Sequence, residues 1–203
     1  GEAFRNFTKW DYQPTVIAGV PESFARAYGI MMSEPQGPIY MCYDAWLQEA
    51  PLNHDVLLPP PAAMKVPVPM AANPDALAQA AEMLVKAKHP VLLAQYVGRQ
   101  EAGYDALIKL AETVAATVFD VHSRHNFPGN HPLNLSMTKG VFRDADLILC
   151  LDTRDWEKPT TELASMTRVV TSLAPSSCKW IDIGFGDLEI SSWALSYQRA
   201  LAA

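Results

Sequence analysis

Apolar positions along this chain follow two periods. In three stretches they recur every three or four residues, which marks one face of a helix. The first begins at Val20-Pro21 and carries Phe24, Ala27, Tyr28 and Met31. The second begins at Asn73-Pro74-Asp75, where Asn can cap and Pro fits a first turn, and carries Ala76, Leu77, Ala80, Leu84 and Val85. The third runs from Tyr104 to Ala116 with Leu107, Ile108, Ala111 and Val114 in register. Elsewhere the apolar residues form short unbroken runs: Ile39–Tyr43, Pro90–Ala94, Thr117–Val121, Asp146–Asp152, Arg168–Leu173 and Lys179–Gly184. Runs without polar alternation predict strands buried on both faces. From Pro90 onward, runs and helices together predict an α/β domain: an open, mostly parallel, Rossmann-like sheet with helices on both faces.

Proline divides the chain. Residues 51–75 hold seven of its sixteen prolines, and a segment so poor in donors predicts a stiff, extended connector. Residues 76–203 then form the central domain. Residues 1–50 offer one helix and one strand, too little for a core of their own. This piece is expected to need partners from outside the chain.

Composition narrows the function. The 203 residues are 49% hydrophobic and 19% charged, in the range of globular proteins. A formal net charge of −6 speaks against nucleic acid or an anionic membrane as partner. No apolar run is long enough to cross a bilayer. The three cysteines, Cys42, Cys150 and Cys178, match no zinc spacing, and an odd number argues against a disulfide framework. Reduced thiols predict a cytoplasmic location.

Ligands of open α/β sheets bind outside the carboxyl ends of the strands. That rule selects Gln95-Tyr96-Val97-Gly98-Arg99, His122-Ser123-Arg124-His125, Asp152-Thr153-Arg154 and Asp182-Ile183-Gly184. Arginines there can pair with phosphate, and an aspartate at a strand end can accept ribose hydroxyls. Polar loops occur at every such tip, however, and Asp152 and Asp182 are equally suited to capping. No G-x-G-x-x-G fingerprint follows the first strand. The histidines of "FDVHSRHNFPGNHPLNLSM" (His122, His125 and His131) lack metal-ligand spacing. A hydrolase built on Asp120, His122 and Ser123 would lack a G-x-S-x-G elbow. Trp156, Trp180 and Trp193 are expected to be packing anchors.

Several of these stretches resemble one family. "FPGNHPLNLSM" is similar to the FP-x-x-HPL loop after the second strand in the central domain of acetolactate synthase-like, thiamine-diphosphate-dependent enzymes. "DADLILCLDTR" and "CKWIDIGFGDLE" resemble the strand segments that follow that loop. "NFTKWDYQP" and "VPESFARAYGIMMSEPQGPIYMCYDAW" resemble the end of the family's pyrimidine-binding domain. The resemblance is collinear from Phe7 to about Ser192. It implies that residues 1–50 are the C-terminal tail of a pyrimidine-binding domain and residues 76–203 the central domain.

The resemblance also implies what the chain lacks. The family's catalytic glutamate sits early in the pyrimidine-binding domain. Its Gly-Asp-Gly…Asn motif, which holds the diphosphate and magnesium, sits in a later domain. Here the single Gly-Asp, Gly186-Asp187, precedes Leu188. The expectation is a fragment of a 2-keto acid decarboxylase or carboligase: thiamine diphosphate and Mg in the full-length parent, neither in this piece, and no catalysis by it alone. Its partners would be the parent's remaining domains, in an enzyme that is usually a homo-oligomer. Some central domains of the family bind FAD or ADP, which would touch Gly98, Arg99, Ser123, Arg124, His125, Asp152, Arg154, Asp182 and Ile183. Side chains stand where flavin-binding members have glycines, at Gln95, Ser123 and Asp152, and weigh against FAD. The alternative function is a stand-alone nucleotide-binding module.

Overall fold

The structure is a computed structural model that describes residues 1–68, 70–185 and 194–202. Trp193 and Gly186-Asp187 lie outside the described residues. The chain forms two units, Gly1–Ala71 and Ala72–Ala203.

In the first unit, β1 (Trp10–Tyr12) pairs in parallel with β2 (Ile39–Met41). Helix α1 (Val20–Met32) joins them, with Pro21 in its first turn. A short helix, α2 (Ala45–Glu49), follows β2 and is capped by Asp44, whose carboxylate accepts the Trp46 N–H. Strand β1 has no sequence signal, because three half-polar residues carry no period. The expected apolar face of α1 is only partly covered: Ala27 is buried, while Phe24 and Tyr28 remain exposed. Phe24 stacks on Tyr43 with ring centroids 5.9 Å apart.

In the second unit, α3 (Pro74–Lys86) starts where Asn73 accepts the N–H groups of Asp75 and Ala76. Then come β3 (Pro90–Ala94), α4 (Glu101–Val114), β4 (Thr117–Asp120) and β5 (Leu147–Leu151). Helix α5 (Glu157–Thr160), β6 (Thr161–Leu163), β7 (Val170–Ser172), β8 (Lys179–Ile183) and β9 (Arg199–Ala202) follow among the described residues. Among the described residues, five strands form one sheet in the order β4-β3-β5-β8-β9, and every adjacent pair is parallel.

Alternation along each strand builds two cores. Leu92, Ala94, Val118, Leu149 and Ile181 face α3 and α4, where Ala80, Leu84, Leu107 and Ala111 meet them. Val91, Leu93, Phe119, Ile148 and Trp180 face the other way, onto Phe142, Trp156, Leu173 and Cys178. This second face is covered by short helical turns and by the Trp156–Trp180 stack, with centroids 5.6 Å apart. Burying each large side chain contributes about 1.5–3 kcal/mol.

Three sequence expectations are corrected. Arg168–Leu173 is not a strand of the sheet. Its Val170–Ser172 pairs antiparallel with β6, and only Leu173 and Ala174 turn inward. Leu77 and Val85 were expected on the buried face of α3 and are exposed, because the sheet meets a stripe centred on Ala80 and Leu84. Strand β9 has no counterpart among the predicted runs. Its Arg-Ala-Leu-Ala is half polar and joins the sheet only as an edge beside β8.

Candidate functional site

The sheet is parallel, so the carboxyl ends of β3, β4, β5 and β8 share one edge. From β3 the chain steps to β4 on one side, then returns to β5 on the other. The reversal places a crevice between the tips of β3 and β5, the usual ligand position in such sheets.

Most of the predicted residues meet there, bonded to one another. Gln95, just past β3, is 8% exposed. Its Oε1 accepts the Arg154 N–H at 2.7 Å and the Asp155 N–H at 3.4 Å. Its Nε2 donates to Ser123 Oγ at 3.1 Å. One carboxamide thus ties the tips of β5, β3 and β4 together. Arg99 forms an ion pair with Asp152. Asp152 is held at φ +48°, a left-handed conformation that aspartate tolerates better than most residues. Gly184 lies against it, and a β-carbon there would approach the Asp152 Cα to 2.8 Å. The Arg154 guanidinium lies 4.8 Å from the centre of the Tyr96 ring.

On the β4 side the organiser is Asn126, which is fully buried. Its Nδ2 donates to Asp120 Oδ1 and to the carbonyls of Gln95 and Arg124. Its Oδ1 accepts the Gly98 N–H at 2.8 Å. Asp120, also buried, takes the main-chain N–H groups of His122 and Asn126 on its two oxygens. Asn126 was not among the predicted site residues, and Asp120 was named only for a hydrolase relay with His122 and Ser123. An Asp closing a strand-like run, six positions before an Asn in the loop that follows, was the available signal.

Arg124 and His125 are exposed, and the His125 ring stacks on Tyr104 at 5.4 Å. Asp182 and Ile183 end β8, and the Ile183 carbonyl accepts the Asp152 N–H at 2.8 Å. Both lie within β8, where Asp182 is 4% exposed and opposite Cys150 in register, and Ile183 packs on the first core.

The remaining histidine of the loop is structural. His131 Nδ1 accepts the Leu133 N–H, Nε2 lies 3.3 Å from Glu112, and the ring meets buried Phe127 edge-on. The loop then returns beside β4, with Leu135 N–H donating to the Val118 carbonyl and Val118 N–H to the Leu133 carbonyl. Among the described residues, no group of three His, Cys, Asp or Glu side chains could hold a metal. The Asp120 carboxylate binds the His122 backbone, and Ser123 Oγ accepts from Gln95, so these three residues do not form a nucleophile–base–acid relay.

A cleft of about 360 Å³ opens beside the β4 tip, lined by Gln95, Asp120, His122, Ser123, Lys139 and Lys158 among others. The Lys139 ammonium is spent on the carbonyls of Lys158 and Thr161.

No protein-family model matches the chain. The probable 2-ketoarginine decarboxylase of Pseudomonas aeruginosa is 33% identical over 141 residues, which are 66% of this chain and 24% of that protein. A putative thiamin diphosphate-dependent enzyme of Mycobacterium smegmatis superposes with a TM-score of 0.63 at 27% identity, over 88% of this chain and 34% of its own. Benzoylformate decarboxylase of Polynucleobacter necessarius (TM-score 0.67, 23% identity) shares 90% of this chain and 34% of its own. The thiamine diphosphate-dependent 4-hydroxybenzoylformate decarboxylase of Rhodococcus jostii RHA1 (TM-score 0.68, 20% identity) shares 98% and 38%. The last two likenesses are of fold. In sequence and fold the chain resembles thiamine-diphosphate-dependent enzymes, and it spans about a third of the length of these solved structures. Among the described residues, no helix is long and apolar enough to cross a membrane.

Proposed function

We propose that this chain, related to thiamine-diphosphate-dependent enzymes, supplies the central domain and the end of the pyrimidine-binding domain of a 2-keto acid decarboxylase or carboligase. Its role there is structural. The reading rests on one observation: the collinear likeness to the Mycobacterium smegmatis enzyme, which runs through both units yet spans about a third of that protein. The exposed Phe24 and Tyr28 on α1 support it, because an apolar face of this kind suits burial against further domains.

Thiamine diphosphate, with magnesium, supplies the carbanion chemistry in enzymes of this kind. The residues present do not fit it. There is no Gly-Asp-Gly sequence to hold the diphosphate, and no acidic cluster among the described residues to hold the metal. The buried carboxylate at the β4 tip, Asp120, is engaged internally by main-chain N–H groups, and Asp182 is buried within β8. No catalytic step is therefore assigned to this chain. The acetolactate synthase-like character, magnesium dependence, assembly into homo-oligomers and cytoplasmic location belong to the same proposal.

The test is calorimetry on the purified 203-residue chain with thiamine diphosphate and magnesium, beside an assay of CO₂ release from 2-keto acids. Both are expected to be silent. Saturable thiamine diphosphate binding by this chain would overturn the reading. So would a gene whose reading frame does not extend into the family's remaining domains.

A further inference from the structure

Some central domains of the family this chain resembles bind FAD or ADP, and ligands of open parallel sheets bind at the strand tips. A phosphate there needs unpartnered N–H groups, room for close backbone approach, and a favourable field at a helix N-terminus. The protein fills each of these needs itself.

The N–H groups are taken first. Those of Arg154 and Asp155, at the β5 side of the crevice, point to Gln95 Oε1. That of Gly98, on the β3 side, points to Asn126 Oδ1. The room is taken next. A glycine after the first strand normally admits a phosphate, but a β-carbon at Gly98 would come within 2.1 Å of the His125 carbonyl oxygen. Glycine is needed here for the approach of the protein's own backbone. The charges are also engaged, Arg99 with Asp152 and Arg154 against Tyr96. Finally, Glu101 places a carboxylate in the first turn of α4. It complements the helix dipole and repels a phosphate from the same position.

We infer that the crevice between β3 and β5 is closed by the protein's own side chains, and that the domain takes neither FAD nor ADP there. Gln95 is the central closure. Its amide oxygen holds the two N–H groups that a phosphate oxygen would otherwise accept. Its amide nitrogen reaches Ser123 on the far side of β3, so the plug is anchored at both ends. The closure depends on the tips alone. It stands whether or not the longer protein uses thiamine diphosphate, and its failure would be separate from the failure of that reading.

The experiment is an NMR titration of the isotope-labelled 203-residue chain with ADP and with FAD, together with amide hydrogen exchange in the wild type and in Gln95→Ala. The expected result has two parts. The Gly98, Arg154 and Asp155 amide signals stay unmoved by either nucleotide. Exchange at Arg154 and Asp155 quickens about tenfold or more in Gln95→Ala, beyond any change at the sheet centre. Should Gln95→Ala not fold, Gln95→Glu replaces it: a carboxylate still accepts both N–H groups, so exchange there should stay slow. Saturable shifts of those three amides with ADP or FAD would overturn the inference. Unchanged exchange in Gln95→Ala, or fast exchange in Gln95→Glu, would also overturn it, because Gln95 would then not be holding the N–H groups.

Discussion

Gly98 and His125 meet backbone to backbone: a β-carbon on residue 98 would lie 2.1 Å from the His125 oxygen and 2.8 Å from its carbonyl carbon. Neither main chain can give way cheaply, since the Gly98 N–H is bound to buried Asn126 and the Asn126 N–H to buried Asp120. Gly98→Ala is therefore expected to destabilise the second unit by about 1–3 kcal/mol, the usual range for overpacking. Urea unfolding followed by far-UV circular dichroism measures it. A loss within error of zero would mean that the two loops separate easily.

Asp146 carries a pH dependence. Burial pushes its carboxyl up, but the N–H groups of Lys88 and His89, at 2.8 and 2.9 Å, outweigh burial and hold it below the usual carboxylate range. A folded-state pKa below the unfolded one gives stability that is present above the unfolded value. That stability is lost as pH falls through the folded value. Asp146→Asn should thus be less stable than the wild type at neutral pH, with the difference shrinking below about pH 4. Paired thermal melts across that range check it. A difference independent of pH would remove the carboxylate from the account.

The three thiols should separate by reactivity. Burial pushes Cys178 up to about 12 and pushes Cys150 up strongly, so neither forms a thiolate at neutral pH. Cys42 is only half-buried. A thiol reagent at neutral pH should modify one cysteine quickly and the other two only on unfolding, as counted by mass spectrometry. Fast modification of Cys150 would mean that the β5–β8 region opens readily.

Glu157 holds the approach to β9. Its Oε2 accepts the N–H groups of Ala194 and Leu195 at 2.8 and 3.0 Å and lies 3.4 Å from the Tyr197 hydroxyl, whose ionisation is pushed well up by burial and then by this carboxylate. Glu157→Ala should leave β3, β4 and β5 intact while amide exchange in Arg199–Ala202 rises about tenfold or more. Unchanged protection of β9 would show that the aromatic contacts of Tyr197 with Trp156 and Trp180 are sufficient to hold it.

Much of this architecture can be read from residue order, because burial on both faces demands unbroken apolar runs. Pro90–Ala94, Thr117–Asp120, Leu147–Leu151 and Lys179–Ile183 are strands for that reason, and Asn73-Pro74 starts a helix because its capping chemistry is local. The likeness to thiamine-diphosphate enzymes was carried by the same kind of local pattern, and the fold resembles such an enzyme over 88% of this chain.

Tertiary structure decided what depends on neighbours distant in sequence. Short runs such as Trp10–Tyr12 and Arg199–Ala202 become strands only because β2 and β8 offer them a free edge. Val170–Ser172, apolar enough to suggest the sheet, leaves it because its partner is β6. At the tips, a list of residues spaced for a ligand became a set of internal partners. Gln95 reaches Arg154 across 59 positions, and Arg99 reaches Asp152 across 53. A polar side chain at a strand end reads the same in sequence whether it awaits a ligand or satisfies a neighbour. Distance and hydrogen-bond geometry between separate strands make the difference.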